Sequence, residues 1–190
     1  LGVVAARLGM LTTAALQVRL WIVRAPRIQD AALWELLTDA CQQVGFRRAV
    51  DLRNSEACAT PLVVGWWQPV VLLPAAVIER LDRRELLAVF VHELHHVKRA
   101  DPLISWAQGI LGAGYFFHPL VWWSNRQLRL WREDACDELT IATLQGQRGV
   151  YGRALLKVAE IVGYAPPPVV LGILDSPTPA RKRLARILEG

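Results

Sequence analysis

Val91-His92-Glu93-Leu94-His95-His96-Val97 is the stretch around which the rest of the chain reads. Residues four apart on a helix share one face, one turn above another, so His92 and His96 can aim ring nitrogens at a single ion. Glu93 is rotated by roughly 100° from His92, beside such an ion and not on it. From there it can take a proton from a water whose pKa a zinc ion has lowered to about 7. This is the His-Glu-x-x-His pattern of zinc hydrolases. With four His and nine Glu in 190 residues, a shuffled chain would contain it well under about 1% of the time. The competing reading is a helix whose histidines only pack or face water.

The helix is signalled independently. Asp82 and Glu85 form an Asp-x-x-Glu capping box, and Leu86, Leu87, Phe90, Leu94 and Val97 supply an apolar stripe at helical spacing. Lys98 and Arg99 suit its C-terminal end, and Pro102 stops it. A catalytic zinc also needs a third protein ligand and one open position. Downstream, Arg132-Glu133-Asp134-Ala135-Cys136-Asp137-Glu138 offers several carboxylates. Glu133 and Asp137 are four apart on one face, so one can ligate while the other orients a ligand histidine from behind. Taken singly, each of these carboxylates reads more plainly as a solvated charge.

Chain lengths favour the ligand reading. From Asp101 to His118 is 17 residues, about 26 Å of helix, and from Pro119 to Glu133 is 14, about 21 Å. A reversal at His118-Pro119 therefore returns Glu133 to the His92/His96 helix. The same reversal puts His118 at the far tip, away from any chemistry.

The segment 61–137 resembles the peptidase domain of BlaR/MecR-type signal-transducing metallopeptidases. The matching pieces are Pro61-Leu-Val-Val-Gly65 with Pro69-Val-Val-Leu-Leu-Pro74, the His92–His96 motif followed by Arg99-Ala-Asp101, His118-Pro-Leu-Val-Trp-Trp123 with Asn125-Arg126, and Arg132-Glu133 with Ala135-Cys-Asp137. More distantly, the motif plus Glu-x-x-x-Asp is similar to HtpX and CAAX-prenyl-protease membrane peptidases. The resemblance implies a membrane-associated zinc endopeptidase in which Glu133 is the third zinc ligand and Asp137 stands behind the ligands. It also implies a regulatory protein substrate, for instance a transcriptional repressor, and an upstream sensor. His95 departs from the family pattern, where a small or apolar residue is usual. It lies about 60° from His92, on the side away from His96; it could bond a carboxylate or perturb the metal site, and is expected to stand behind the ligands or at the surface.

Composition bounds the alternatives. A chain of 190 residues is one domain by length. Its hydrophobic content of 53% and positive mean hydropathy are high for a soluble protein. The net charge of +5 does not form an aromatic-interleaved patch of the kind that binds nucleic acid. The basic residues collect instead at the ends of apolar segments: Arg19, Arg24 and Arg27; Lys98 and Arg99; Arg126, Arg129 and Arg132. With eight tryptophans, this fits an anionic cytoplasmic membrane leaflet. Cys41, Cys58 and Cys136 form no CxxC pair and favour a reducing compartment. Cys136, inside the acidic cluster, reads as a small buried residue before it reads as a ligand.

Taken in order, 1–27 reads as the end of a membrane-proximal helix, too interrupted by Arg7 and Arg19 for a clear transmembrane span. The chain lacks an initiator Met and reads as part of a longer protein. Asp30 can cap a helix to Val44 with Gly45 as its stop. Residues 49–53, 62–64 and 70–73 read as strands, the last two a hairpin around Gly65-Trp66-Trp67. Residues 75–81 form a short helix. Residues 103–125 hold no Lys, Arg, Asp or Glu and read as an apolar hairpin dipping into the bilayer, with burial in protein as the alternative. Gly109, Gly112 and Gly114 would let its arms pack closely. Residues 120–145 form the return helix and 150–162 another amphipathic one. A proline-rich connector covers 165–179. A last helix covers 180–188, with Arg181, Lys182, Arg183 and Arg186 on a solvated or headgroup-facing surface.

The expected fold is α+β and mainly α, a zincin-like metallopeptidase domain over 28–190 with a small antiparallel sheet. The expected function is peptide-bond hydrolysis by a zinc endopeptidase at the cell membrane, facing the cytoplasm. In it His92, His96 and Glu133 hold Zn2+ and Glu93 is the base. Its expected partners are a protein or peptide substrate and membrane lipids, with no direct nucleic-acid binding. The rivals are a signalling module whose zinc is purely structural, a soluble zinc peptidase whose hairpin is core, and a basic nucleic-acid binder.

Overall fold

A computed structural model describes residues 2–163 together with Arg183, Arg186 and Ile187. The elements in order are α1 (Gly2–Arg24), α2 (Ala31–Val44), β1 (Asp51–Asn54), β2 (Leu62–Val64), β3 (Val70–Leu73), α3 (Ala75–Arg80), α4 (Arg83–Lys98), α5 (Asp101–Gly114), α6 (Pro119–Thr143) and α7 (Arg148–Gly163). The connector expected over 165–179 lies outside the described residues. So does the last helix, apart from Arg183, Arg186 and Ile187, which are helical.

The core is built on α4. Asp82 accepts from the backbone N–H groups of Arg84 and Glu85, and the Glu85 carboxylate accepts from the Asp82 N–H. Orphan donors at the helix start are thereby satisfied reciprocally. The stripe from Leu86 to Val97 packs on α2, whose Leu33, Leu36, Leu37, Ala40 and Val44 form its buried face. Asp30 caps α2, and Gly45 ends it in the left-handed region at φ 70°, where glycine carries no Cβ penalty.

The sheet is mixed, not antiparallel. β2 and β3 form the expected antiparallel hairpin, but β1 runs parallel to β3, and the strand order is β1-β3-β2. β3 is thus the central strand, and all four of its residues are buried. Successive side chains point to opposite faces. Val71 and Leu73 join the main core, while Val70 and Leu72 pack with Ala25, Cys58, Trp21 and Ile22 from the end of α1 and the loop after β1. A strand covered on both faces accepts a parallel neighbour as readily as an antiparallel one.

Arg7 and Arg19 do not interrupt α1. It is one helix of 23 residues, long and apolar enough to cross a bilayer, with 6% of its apolar window buried. α5 and α6 form the expected hairpin, and His118 lies exposed at its tip as the residue before α6. The glycines act differently from expectation. A Cβ at Gly109 would meet Leu11 of α1 at 3.0 Å, one at Gly112 would meet Asn125 of α6 at 3.5 Å, and one at Gly114 would meet nothing within 4 Å. Gly109 therefore seats α1, and only Gly112 faces the opposite arm. The hairpin is not core among the described residues: Phe117, Trp123 and Trp131 are 66%, 59% and 61% exposed.

Asp82→Ala removes the cap and should cost about 1 kcal/mol, which for a chain of this size lowers Tm by roughly 2–4 °C. Thermal denaturation of the metal-free protein measures this. An unchanged Tm would mean that the capping box contributes nothing to α4.

Candidate metal centre

α4 presents His92 and His96 one turn apart, with ring centroids 4.7 Å apart and planes at 87°. Their Nε2 atoms face each other at 3.1 Å. Each Nδ1 is engaged on the far side. That of His96 lies 2.9 Å from Asp101 Oδ2. Asp101 reaches it because Ala100 adopts a left-handed conformation (φ 60°) and turns the chain sharply from α4 into α5. The Nδ1 of His92 lies 2.8 Å from the Tyr151 hydroxyl of α7, which donates to Asp137 Oδ1 of α6 at 2.6 Å. Each ring thus has a polar partner at Nδ1, a carboxylate for His96 and a phenol for His92, of the kind that orients metal-binding imidazoles.

α6 brings Glu133 to the same place. Its Oε2 is 3.8 Å from His92 Nε2 and its Oε1 is 3.6 Å from His96 Nε2. One ligand atom from each of His92, His96 and Glu133 lies within 4.8 Å of the others. Asp137, one turn on, is buried and takes a bidentate pair from Arg183 at 3.0 and 2.6 Å. Arg183 also reaches Glu133 Oε2 at 2.8 Å. Arg183 is therefore not on a solvated or headgroup-facing surface, because two carboxylates of α6 draw it inward. Its neighbour Arg186 pairs with Asp134. Cys136 is fully buried behind His96, with Sγ 3.6 Å from Asp101 Oδ2.

The Glu93 Oε2 accepts the backbone N–H of Val63 in β2 at 3.1 Å. Val63 stands opposite Val71, yet its N–H points away from β3, so the outer edge of β2 faces α4. Burial raises the Glu93 carboxyl to about 7, against the pull of His96, and the Glu133 charge adds to the rise. Burial together with the positive charge of His96 and Arg183 holds His92 well below the usual histidine value. Burial would also lower His96, but the hydrogen bonds to Asp101 and Cys136 and the Glu133 charge carry it well above. Burial and the Asp137 charge push the Tyr151 phenol well up.

These donors fit a zinc ion. With both Nδ1 atoms engaged by outer partners, the two Nε2 atoms face one another across 3.1 Å, and either the proton of a charged His96 or a cation must sit between them. Two imidazole nitrogens and a carboxylate oxygen are the donor types of a catalytic zinc site. The second cluster, His96 with Asp101 and Cys136, shares His96 and is already joined by hydrogen bonds.

Sequence reading did not find Tyr151 or Arg183, or any role for Asp101 beyond its place in a motif. The signal available was an aromatic hydroxyl and an arginine on otherwise ordinary helices, with nothing in the spacing to single them out.

The sequence profile of the BlaR1 peptidase M56 family matches residues 1–187. Regulatory protein BlaR1 of Bacillus licheniformis is 30% identical over 135 residues, 70% of this chain and 22% of that protein. Methicillin resistance mecR1 protein of Staphylococcus aureus is 22% identical over 138 residues, 72% of this chain and 24% of that protein. A Protease HtpX homolog of Helicobacter acinonychis is 45% identical over 49 residues, 25% of this chain and 16% of that protein. The chain thus spans about a quarter of the length of the first two relatives.

His95 is buried, and its Nε2 lies 3.0 Å from the Thr143 hydroxyl of α6. Burial, with Lys98, His96 and Arg99 adding to it, lowers its pKa to about 4. An unfolded histidine titrates near 6.5, so between these values the unfolded chain binds the extra proton. The His95 contribution to stability is therefore full above pH about 6.5 and is lost as the pH falls toward 4. In His95→Gln this slope should be absent. Chelator-treated protein denatured across that range tests it, and a difference between wild type and variant that does not change with pH would refute it.

Proposed function

The chain belongs to the BlaR1 peptidase M56 family, and from that membership we propose that it is a membrane-associated zinc endopeptidase acting in regulatory signalling. In this reading His92 Nε2, His96 Nε2 and Glu133 hold the zinc, which would activate water and polarise a scissile carbonyl. The observation that carries it is the pair of facing Nε2 atoms 3.1 Å apart, with Glu133 beside them and both Nδ1 atoms committed elsewhere. Glu93 is the general base: it takes the proton from the attacking water and returns it to the leaving amine. A carboxyl near 7 suits a group that must do both near neutral pH. The alternative, a signalling module with a structural zinc, shares the ligands but has no use for Glu93.

The outer edge of β2 is the proposed seat of the substrate. A peptide laid along it would take over the Val63 N–H now held by Glu93, as added strands do at exposed sheet edges. Among the described residues β2 pairs only with β3. The exposed aromatic residues of the α5–α6 hairpin and the length of α1 support contact with the bilayer. Basic residues at the ends of these segments support a cytoplasmic site. A regulatory protein such as a transcriptional repressor is the proposed substrate class.

Glu93→Gln should keep bound zinc and lose cleavage of an unstructured protein such as casein by several orders of magnitude, while Glu133→Ala should lose the zinc itself. Metal analysis and a cleavage assay on the two variants test this, and normal cleavage by Glu93→Gln would end the base assignment.

Val63→Pro removes an outward-facing N–H that the hairpin does not use. It should raise KM far more than it lowers zinc content. Equal loss of both would end the edge assignment.

A further inference from the structure

Asp137 and His92 do not meet directly. His92 Nδ1 is 3.5 Å from Asp137 Oδ1, too long for a good hydrogen bond. The Tyr151 hydroxyl stands between them, 2.8 Å from the nitrogen and 2.6 Å from the carboxylate. A phenol has one proton to give. The carboxylate oxygen can only accept, so that proton goes to Asp137. The phenol oxygen is then left as an acceptor, and His92 Nδ1 must be the donor. The Nε2 of His92 is consequently bare. Resting on the metal-centre reading above, we infer that Tyr151 is a positioning residue: its hydroxyl sets the tautomer and ring orientation of His92 on behalf of Asp137.

The geometry around the pair supports a specific role. Tyr151 is 1% exposed, and its ring lies 5.9 Å from that of His92. Arg183 holds Asp137 through both oxygens, so the carboxylate stays in place without the phenol. α7 is fastened to α4 separately, through Lys157 and the buried Glu85 at 2.6 Å. Removing the hydroxyl alone therefore takes the hydrogen bond from His92 while leaving the packing of α7. The Asp137 carboxylate, 3.5 Å from Nδ1, would then come within good hydrogen-bond distance only if the ring turned, and a turned ring no longer aims Nε2 at His96 and Glu133.

The test is the zinc affinity of the 190-residue chain and its Tyr151→Phe variant, measured by competition with a chromophoric chelator. Alongside it are the metal-free Tm and the visible spectrum of the Co2+-loaded protein. Tyr151→Phe should weaken zinc binding about tenfold to hundredfold, the range seen when an outer hydrogen-bond partner is lost. It should also shift the cobalt bands and change the metal-free Tm little. A variant that binds zinc within about twofold of wild type overturns the inference and leaves the metal centre standing. A wild-type chain that takes up no zinc overturns both. Should Tyr151→Phe fail to fold, the histidine side-chain 15N shifts of the wild type decide: the proton on Nδ1 of His92 supports the inference, and the proton on Nε2 overturns it.

Discussion

Two imidazole nitrogens facing each other across 3.1 Å are the constraint on which the rest depends. Left to themselves, two neutral rings would turn a donor toward an acceptor. They are prevented because each Nδ1 is held from behind, one by Asp101 and the other by Tyr151. These partners come from different helices, α5 and α7, and the carboxylate beside the pair comes from α6. Four helices therefore converge on one point. The apolar core underneath, from Leu86 to Val97 against α2 and β3, fixes α4 as the reference for the others.

The α5–α6 hairpin works as a ruler. α5 leaves the site at Asp101, and α6 comes back to it at Glu133 after arms of comparable length. Arg132 ties the arms together at their base through the Asp101 carbonyl at 3.2 Å and the Ser105 hydroxyl. Because the arms are helices, the length of the loop is set by rise per residue and not by flexible chain. An inserted turn in one arm alone would carry Glu133 about 5 Å past its place. The exposed aromatic tip thus has a structural consequence at the site whatever surrounds it.

What the sequence disclosed was mostly local. The His92–His96 spacing, the Asp82–Glu85 box, the Gly45 stop and the matched hairpin arms all follow from helix geometry within a few turns. What it did not disclose lies in contacts between distant segments. Tyr151 is 59 residues from His92 and Arg183 is 46 from Asp137. Neither leaves a periodic trace, so Arg183 reads as one more solvated charge and Asp137 as a direct partner of a ligand histidine. The parallel pairing of β1 with β3 was hidden for the same reason, since only the β2–β3 turn is local. His95 was misplaced because helical angle says which way a side chain leaves α4, but not that Thr143 of α6 covers it.

Glu93 shows how burial and hydrogen bonding divide the work. One backbone N–H, from Val63, favours its charged form. A typical hydrogen bond of a backbone N–H to a charged group contributes only about 1.5–3 kcal/mol. Desolvation outweighs it here, and the carboxyl sits near 7. In the proposed chemistry that balance is useful, because a base held far below neutrality would give its proton back too readily and one far above would rarely be free to act. The same N–H lies on the sheet edge proposed to seat substrate. Arrival of a peptide would then withdraw the Val63 hydrogen bond that favours the carboxylate, raising its appetite for a proton as the peptide comes within reach.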